Sequence, residues 1–223
     1  MIPLSVDMPR SRAPVTNILL ILANLLVFLF PLLSASPDAA RIYLRLGCIP
    51  YEITHLEDIG LTTPVPLPLT LVTTLFLHGG WIHLIGNLLF LFVFGGAVEA
   101  RLGHLRYAAF YLACGVLAVL THVVALPTSR IPVVGASGAV AGVMAAFLVF
   151  HPHVRVKALV FWFVFVQVVR IPAIVFLGVW VAVQFLAGLA QSGRAGDGGA
   201  GFAHLGGFSA GLIVSLTTRF RKK

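Results

Sequence analysis

Long apolar runs separated by short polar loops limit what this chain can fold into. Hydrophobic residues make up 59% of the 223 residues and charged residues only 10%, whereas soluble domains carry about 25% charged residues. About 20 consecutive apolar residues cross a bilayer as one helix. The sequence therefore predicts an all-α polytopic membrane protein, a single domain over residues 1–223. Six spans are predicted, at residues 15–33, 81–98, 107–126, 135–150, 171–189 and 202–218.

The fourth predicted span is the shortest, and it opens on residues 135–138, in which glycines flank Ser137. If this span ends at the cytoplasmic surface, it begins below the opposite surface, which places Ser137 inside the bilayer thickness. The apolar residues 158–169 are too few to cross, and they are predicted to be extended or to lie on the surface. The long outer loop 34–69, between the first two spans, is expected to pack on or in the outer leaflet.

The charged residues indicate how the spans are oriented. With six spans both termini lie on one side, which holds eleven basic and two acidic residues, against four basic and five acidic residues on the other. Because basic loops stay in the cytoplasm, both termini are expected there, and a prokaryotic plasma membrane is the expected location. This sorting explains the net charge of +8 without a nucleic acid partner. A cleaved signal peptide in place of the first span is disfavoured by Pro37 and would leave an odd number of spans.

Few polar side chains lie within the predicted spans, and polar groups are costly there unless they have a function. His83 and Asn87 are four residues apart in the second span, on one face of a helix. Ser137 opens the fourth span, and His204 lies near the start of the sixth. These four are the candidate functional residues.

Glycines beside the candidate residues predict close helix packing. His204, Gly207 and Gly211 share one face of the sixth span, and Gly138 begins a stripe of small residues in the fourth. Two such stripes let helix backbones approach each other. The approach would bring His204 within hydrogen-bond distance of the Ser137 hydroxyl, as a general base beside a nucleophile.

The start of the fourth span also suits a negative charge. Gly135 and Gly138 free the backbone around Ser137, and the unpaired N–H groups of a helix N-terminus favour an anion. His83 and Asn87 could add side-chain donors for an oxyanion. Each feature alone has an ordinary interpretation, as a helix cap, an interhelical hydrogen bond or a packing glycine. Their occurrence together favours nucleophilic catalysis by a serine.

No cofactor and no metal site are expected from the sequence. A metal site of His78, His83 and His204 is an alternative, but no carboxylate or cysteine lies near these residues in the sequence. His78 is instead expected to fix the loop before the second span. His122 has no partner that the sequence identifies.

Four sequence motifs stand in order along the chain: His78-Gly79-Gly80-Trp81-Ile82-His83-Leu84-Ile85-Gly86-Asn87-Leu88-Leu89-Phe90, Gly96-Ala97-Val98-Glu99-Ala100-Arg101-Leu102-Gly103, Gly135-Ala136-Ser137-Gly138 and Ala203-His204-Leu205-Gly206-Gly207 with Gly211. They resemble the motifs of the rhomboid family of intramembrane proteases, in the family's order and over about the whole chain. The resemblance implies a Ser137–His204 dyad without an acidic third member, and the sequence agrees, since no Asp or Glu lies inside a predicted span. It also implies an oxyanion hole made by His83, Asn87 and the Ser137 N–H.

The family's substrates are single-span membrane proteins cut in or near the membrane segment, so the expected partners are such proteins and the lipid bilayer. A helix-destabilised segment should be cut best, because its carbonyls are free of helical hydrogen bonds. By the same resemblance, Glu99 and Arg101 have structural roles at the cytoplasmic end of the second span. The fifth span and residues 191–201 are the expected gate for substrates.

The chain departs from some family members in two places. A Trp-Arg pair in the first loop is missing, and Ala141 stands where some members have an aromatic residue one turn after the serine, which removes the ring beneath His204. A different class of function stays open: a catalytically silent pseudoprotease or membrane chaperone that binds transmembrane helices. Such proteins usually lack the serine or the histidine, and this chain has both.

Overall fold

A computed structural model describes residues 1–8, 13–33, 41–59, 64–162, 165–191 and 201–219 of the chain. Most of these residues are helical. In chain order, the helices and strands are β1 (Ile2–Val6), α1 (Val15–Leu33), α2 (Arg41–Leu46), α3 (Pro50–His55), α4 (Thr70–Thr73), α5 (Trp81–Phe90), α6 (Gly96–Leu102), α7 (His104–Ala125), α8 (Ser137–Phe150), β2 (Arg155–Trp162), β3 (Phe165–Pro172), α9 (Ala173–Gln191) and α10 (Gly201–Arg219).

The long helices coincide with the six predicted spans to within four residues at each end. Three of the described helices are long and apolar enough to cross a membrane, namely Val15–Leu33, Trp81–Leu102 and His104–Ala125. Ser137–Phe150 and Ala173–Leu186 are shorter apolar helices. The chain is therefore an integral membrane protein, and the number of six crossings stays a prediction.

A small antiparallel sheet corrects the all-α prediction. Its strand order is β1-β2-β3, with Ile2 opposite Leu159 and Arg155 opposite Pro172. The extended conformation predicted for residues 158–169 is confirmed by β2 and β3 for residues 158–162 and 165–169, and residues 163–164 lie outside the described part of the chain. β1 was missed because a strand of five residues is defined by its pairing with a distant strand rather than by its own pattern.

A buried carboxylate in α6 and a tyrosine in α7 hold these two helices against the start of α1. Glu99 accepts hydrogen bonds from the backbone N–H groups of Thr16 (2.8 Å) and Asn17 (2.7 Å), which are unpaired donors of the first turn of α1. The Tyr107 hydroxyl donates to the Asn17 side chain (2.7 Å). These contacts agree with a structural role for Glu99. The Arg101 guanidinium lies over the ring of Phe150 at 5.9 Å.

A π-helical turn at Leu91–Gly95 joins α5 to α6. Asn17 Nδ2 donates to the Leu91 carbonyl oxygen (2.9 Å), and a Cβ atom at Gly95 would lie 2.6 Å from Asn17 Cγ and 2.7 Å from the Tyr107 hydroxyl oxygen. The irregular turn therefore makes room for the polar contacts that hold α1 against α6 and α7.

The core is centred on α8, in which residues 138–147 are all buried. α8 packs against α7, α9 and α10 and against the turn between α5 and α6. The loop between α1 and α5 contains α2, α3 and α4, and part of it, residues 34–40 and 60–63, lies outside the described residues. So do residues 192–200, which include most of the predicted gate segment.

Candidate active site

Ser137 is the first residue of α8, and the backbone leading to it is held by the loop between α1 and α5. Val133 N–H donates to the Cys48 carbonyl oxygen (2.8 Å), and Gly135 N–H donates to the Thr74 carbonyl oxygen (3.0 Å). The Thr74 hydroxyl donates to the Val133 carbonyl oxygen. Gly135 has a φ of +122°, which glycine adopts without strain. Ser137 therefore follows a well-anchored turn and is half-buried at the helix start.

The glycine stripes predicted on α8 and α10 are in backbone contact. A Cβ atom added at Gly207 would lie 2.7 Å from the Gly138 carbonyl carbon, and one added at Gly211 would lie 2.6 Å from Gly142 Cα. No real Cβ atom comes that close. The two helices can therefore keep this separation only with glycine at these positions.

His204 lies beside the first turn of α8. The carbonyl oxygen of its neighbour Ala203 is 3.4 Å from the position that a Cβ atom at Gly138 would take. The imidazole is half-buried, and within the described residues both of its nitrogens lack a hydrogen-bond partner. It therefore makes no hydrogen bond to Ser137 here. Catalytic hydrogen bonds are often long without substrate and tighten when it binds, so this arrangement is compatible with a dyad.

His83 of α5 lies over Gly135, next to the serine hydroxyl. A Cβ atom at Gly135 would lie 2.6 Å from His83 Cε1 and Nε2 and 3.7 Å from Ser137 Oγ. The imidazole edge and the hydroxyl thus both lie close to Gly135. A side chain at position 135 would displace the ring, so the missing Cβ is what allows His83 to approach Ser137.

Asn87 lies one turn along α5 from His83, on the same helical face. Its side chain is 6% exposed, and its Nδ2 atom has no hydrogen-bond partner in the described part of the chain. A buried donor without a partner costs roughly 1–3 kcal/mol. The unused N–H groups are therefore suited to a ligand oxygen at this site.

His78 supports the His83 ring from the loop before α5. The two ring centroids are 5.1 Å apart in an edge-on arrangement, and His78 Nδ1 lies 3.3 Å from the Phe76 carbonyl oxygen. Burial and the neighbouring His83 lower the pKa of His78 to about 4, so its imidazole is neutral at pH 7. The predicted role of His78 in fixing the loop agrees with these contacts.

Two residues near His204 were missed by the sequence analysis. Trp180 of α9 lies against the imidazole, with ring centroids 5.7 Å apart and an angle of 47° between the planes. His122 of α7 is fully buried, lies within electrostatic range of His204, and has no hydrogen bond to another described residue. The sequence shows a tryptophan and a histidine in apolar spans, but not which helix faces meet.

The clustered histidines do not form a metal site in the described residues, where no group of three or more His, Cys, Asp or Glu side chains could hold a metal ion. His78 and His83 contact each other through their ring faces and edges. The arrangement instead combines a half-buried hydroxyl, an imidazole on a neighbouring helix, and further donors on α5. These are the chemical groups that acyl transfer requires.

The sequence is similar to those of known rhomboid proteins. A family model described as the rhomboid domain matches residues 68–221. Rhomboid-like protein 11, chloroplastic, of Arabidopsis thaliana is 37% identical over 95 residues, which cover 43% of this chain and 34% of that protein. "Putative rhomboid protease YdcA" of Bacillus subtilis (strain 168) is 35% identical over 78 residues, which cover 35% of this chain and 39% of that protein. The matched stretches thus span about a third to two fifths of these curated relatives.

The family model takes in all four candidate residues and the helices that carry them. It matches more than half of the chain, and the described helices include three that could cross a membrane. On the length of this match, the chain belongs to the rhomboid family.

Proposed function

We propose that this protein is an intramembrane serine endopeptidase that cuts membrane proteins through a Ser137–His204 dyad. The observation that carries the proposal is the convergence around Gly135, where the His83 ring and the Ser137 hydroxyl lie within 4 Å of one point. His204 approaches the same end of α8 through the glycine contact between α8 and α10. Family membership supports the reaction class.

In the first half-reaction, His204 accepts the Ser137 proton while Oγ attacks the carbonyl carbon of the scissile peptide. The protonated imidazole then gives this proton to the leaving amine, and the C–N bond breaks to leave an acyl-enzyme. In the second half-reaction, water loses a proton to His204 and attacks the ester. The new carboxylic acid leaves, and the proton returns to Ser137.

Negative charge on the carbonyl oxygen is stabilised by donors that do not move during the reaction. Ser137 N–H is at the first position of α8, where backbone donors lack intrahelical acceptors. His83 and Asn87 add side-chain donors from one face of α5. Loss of one such donor typically lowers kcat by about 10²–10³-fold.

The proposal includes a topology of six crossings, with both termini in the cytoplasm of a prokaryotic cell and residues 1–223 as one domain. In this topology Ser137 opens toward the outer side, below the membrane surface. A substrate segment has to leave its helical conformation there before a carbonyl can reach Oγ, so helix-destabilised segments are the preferred substrates.

The test is cleavage of a single-span model protein, with a glycine and proline in its membrane segment, by the purified protein in detergent. Wild type should cut, Ser137→Ala should not, and Ser209→Ala on the exposed side of α10 should match wild type. Full cleavage by Ser137→Ala would refute the proposal. A folded wild type that binds the model protein without cutting it would favour the helix-binding pseudoprotease instead.

A further inference from the structure

Among the described residues, no acidic side chain bonds to the imidazole of the proposed base, which raises the question of what fixes its ring. Both His204 nitrogens lack a partner in the part of the chain that the structure describes, and the predicted spans contain no Asp or Glu. A base that rotates freely about its side-chain torsions spends little time aligned with the hydroxyl. Within the described part of the chain, a contact other than a hydrogen bond has to limit this rotation.

The ring contact with Trp180 meets this need. The two centroids are 5.7 Å apart and the planes are inclined by 47°, a geometry within the range of favourable aromatic pairs. Trp180 is on α9, whereas Ser137 and His204 are on α8 and α10. The indole therefore contacts the His204 ring from a third helix.

Trp180 is itself held by an aromatic network that reaches α5, the helix that carries the proposed oxyanion donors. Its ring lies 6.4 Å from Phe90, and Phe90 lies 6.5 Å from Phe176, which is 1% exposed. Phe90 is three residues after Asn87 on α5, so both residues lie on one helical face. The network connects the helix that carries the oxyanion donors with the helix that carries the base.

We propose that Trp180 is a positioning residue for His204: the indole holds the imidazole in the orientation that accepts the Ser137 proton. The inference rests on the proposed protease function. Trp180 acts through His204 and takes no part in bond making. Its removal therefore lowers the rate of the chemical step without weakening substrate binding.

The test compares three variants by cleavage kinetics on the single-span model protein in detergent, with kcat and KM measured separately. Trp180→Leu removes the ring and keeps an apolar side chain, and it should lower kcat about tenfold with KM unchanged. Trp180→Phe restores a ring and should recover most of kcat. Val179→Ala, at an adjacent α9 position that is 44% exposed, is the matched control and should match wild type.

Thermal unfolding of each variant separates positioning from damage to the fold. An unchanged kcat in a folded Trp180→Leu protein overturns the proposed role of Trp180 but not the proposed protease function. A raised KM at constant kcat does the same, because it would mean that Trp180 binds substrate. A Trp180→Phe variant as slow as Trp180→Leu also overturns it. A wild type that neither cuts nor reacts with a fluorophosphonate overturns the proposed function, and this inference with it.

Discussion

At the scale of single residues, Gly135 decides whether the candidate site can form. Its φ is +122°, and an added Cβ atom would lie 2.6 Å from the His83 ring. We expect Gly135→Ala to lower the cleavage rate about a hundredfold, the usual effect of losing an oxyanion donor, because His83 is displaced. The control is Gly86→Ala on α5, where an added Cβ meets nothing within 4 Å. Equal rates for the two variants would contradict the proposed role of His83.

The lowered pKa of His78 predicts how the stability of the folded protein depends on pH. Burial, together with His83, lowers its pKa in the folded protein from 6.5 to about 4. The contribution of the neutral His78 side chain to the free energy of unfolding is complete above pH 6.5. It is lost between pH 6.5 and 4, because over that range only the unfolded chain takes up a proton at this residue. At pH 5 the loss should be about 2 kcal/mol.

Thermal unfolding in detergent at pH 7 and pH 5 measures this loss. The decrease in Tm between the two pH values should be smaller in His78→Gln, which has no group that titrates at this position. A decrease of the same size in both proteins would show that other groups cause the acid sensitivity.

The four candidate residues could be selected from the sequence because helix period and polarity identify them. His83 and Asn87 are one turn apart, and the glycines near Ser137 and His204 predict the contact that the structure has. The ring contact of Trp180 could not be predicted. It depends on the rotation of α9 about its axis, and a helix that is apolar apart from Gln184 and Gln191 gives little signal for that rotation.

At the scale of elements, the contact between α8 and α10 places the helix of the proposed base beside the helix of the proposed nucleophile. A Cβ atom at Gly207 would overlap the Gly138 backbone, whereas one at Gly178 of α9 meets nothing within 4 Å. We expect Gly207→Ala to lose activity and about 1–3 kcal/mol of stability through overpacking, while Gly178→Ala keeps both. Cleavage rates and Tm values of the two variants check this, and an active, stable Gly207→Ala protein would contradict it.

The helices could be predicted from apolar length, but the sheet only in part. The alternation in residues 158–169 predicts an extended segment, and β2 and β3 are there. β1 acquires its conformation by pairing with β2, whose partner residues are at least 150 positions away in the sequence. Sequence patterns within a short window contain no information about such a partner.

At the scale of the whole molecule, the sheet links the N-terminus to the connection between α8 and α9. Lys157 and Asp7 form an ion pair at 3.1 Å, and β1 pairs with β2. The N-terminal strand and this connection therefore lie on one side of the membrane. In the proposed topology that side is the cytoplasm.

Cysteine accessibility in intact cells tests the orientation. In a background with Cys48→Ala and Cys114→Ala, an impermeant maleimide should label Thr128→Cys, in the exposed turn after α7, from outside. Leu4→Cys, at an exposed β1 position, should react only after the membrane is permeabilised. If Leu4→Cys were labelled from outside and Thr128→Cys only after permeabilisation, the orientation would be the reverse of the proposed one.

In the proposed mechanism His204 activates Ser137, and covalent labelling by a fluorophosphonate probe is a direct test of this step. Such probes react with a serine only when a base increases its nucleophilicity. We predict that detergent-solubilised wild type is labelled and that Ser137→Ala and His204→Ala, both folded, are not. Labelling that persists in His204→Ala, or a folded wild type that does not react at all, would refute the proposed activation of Ser137 by His204.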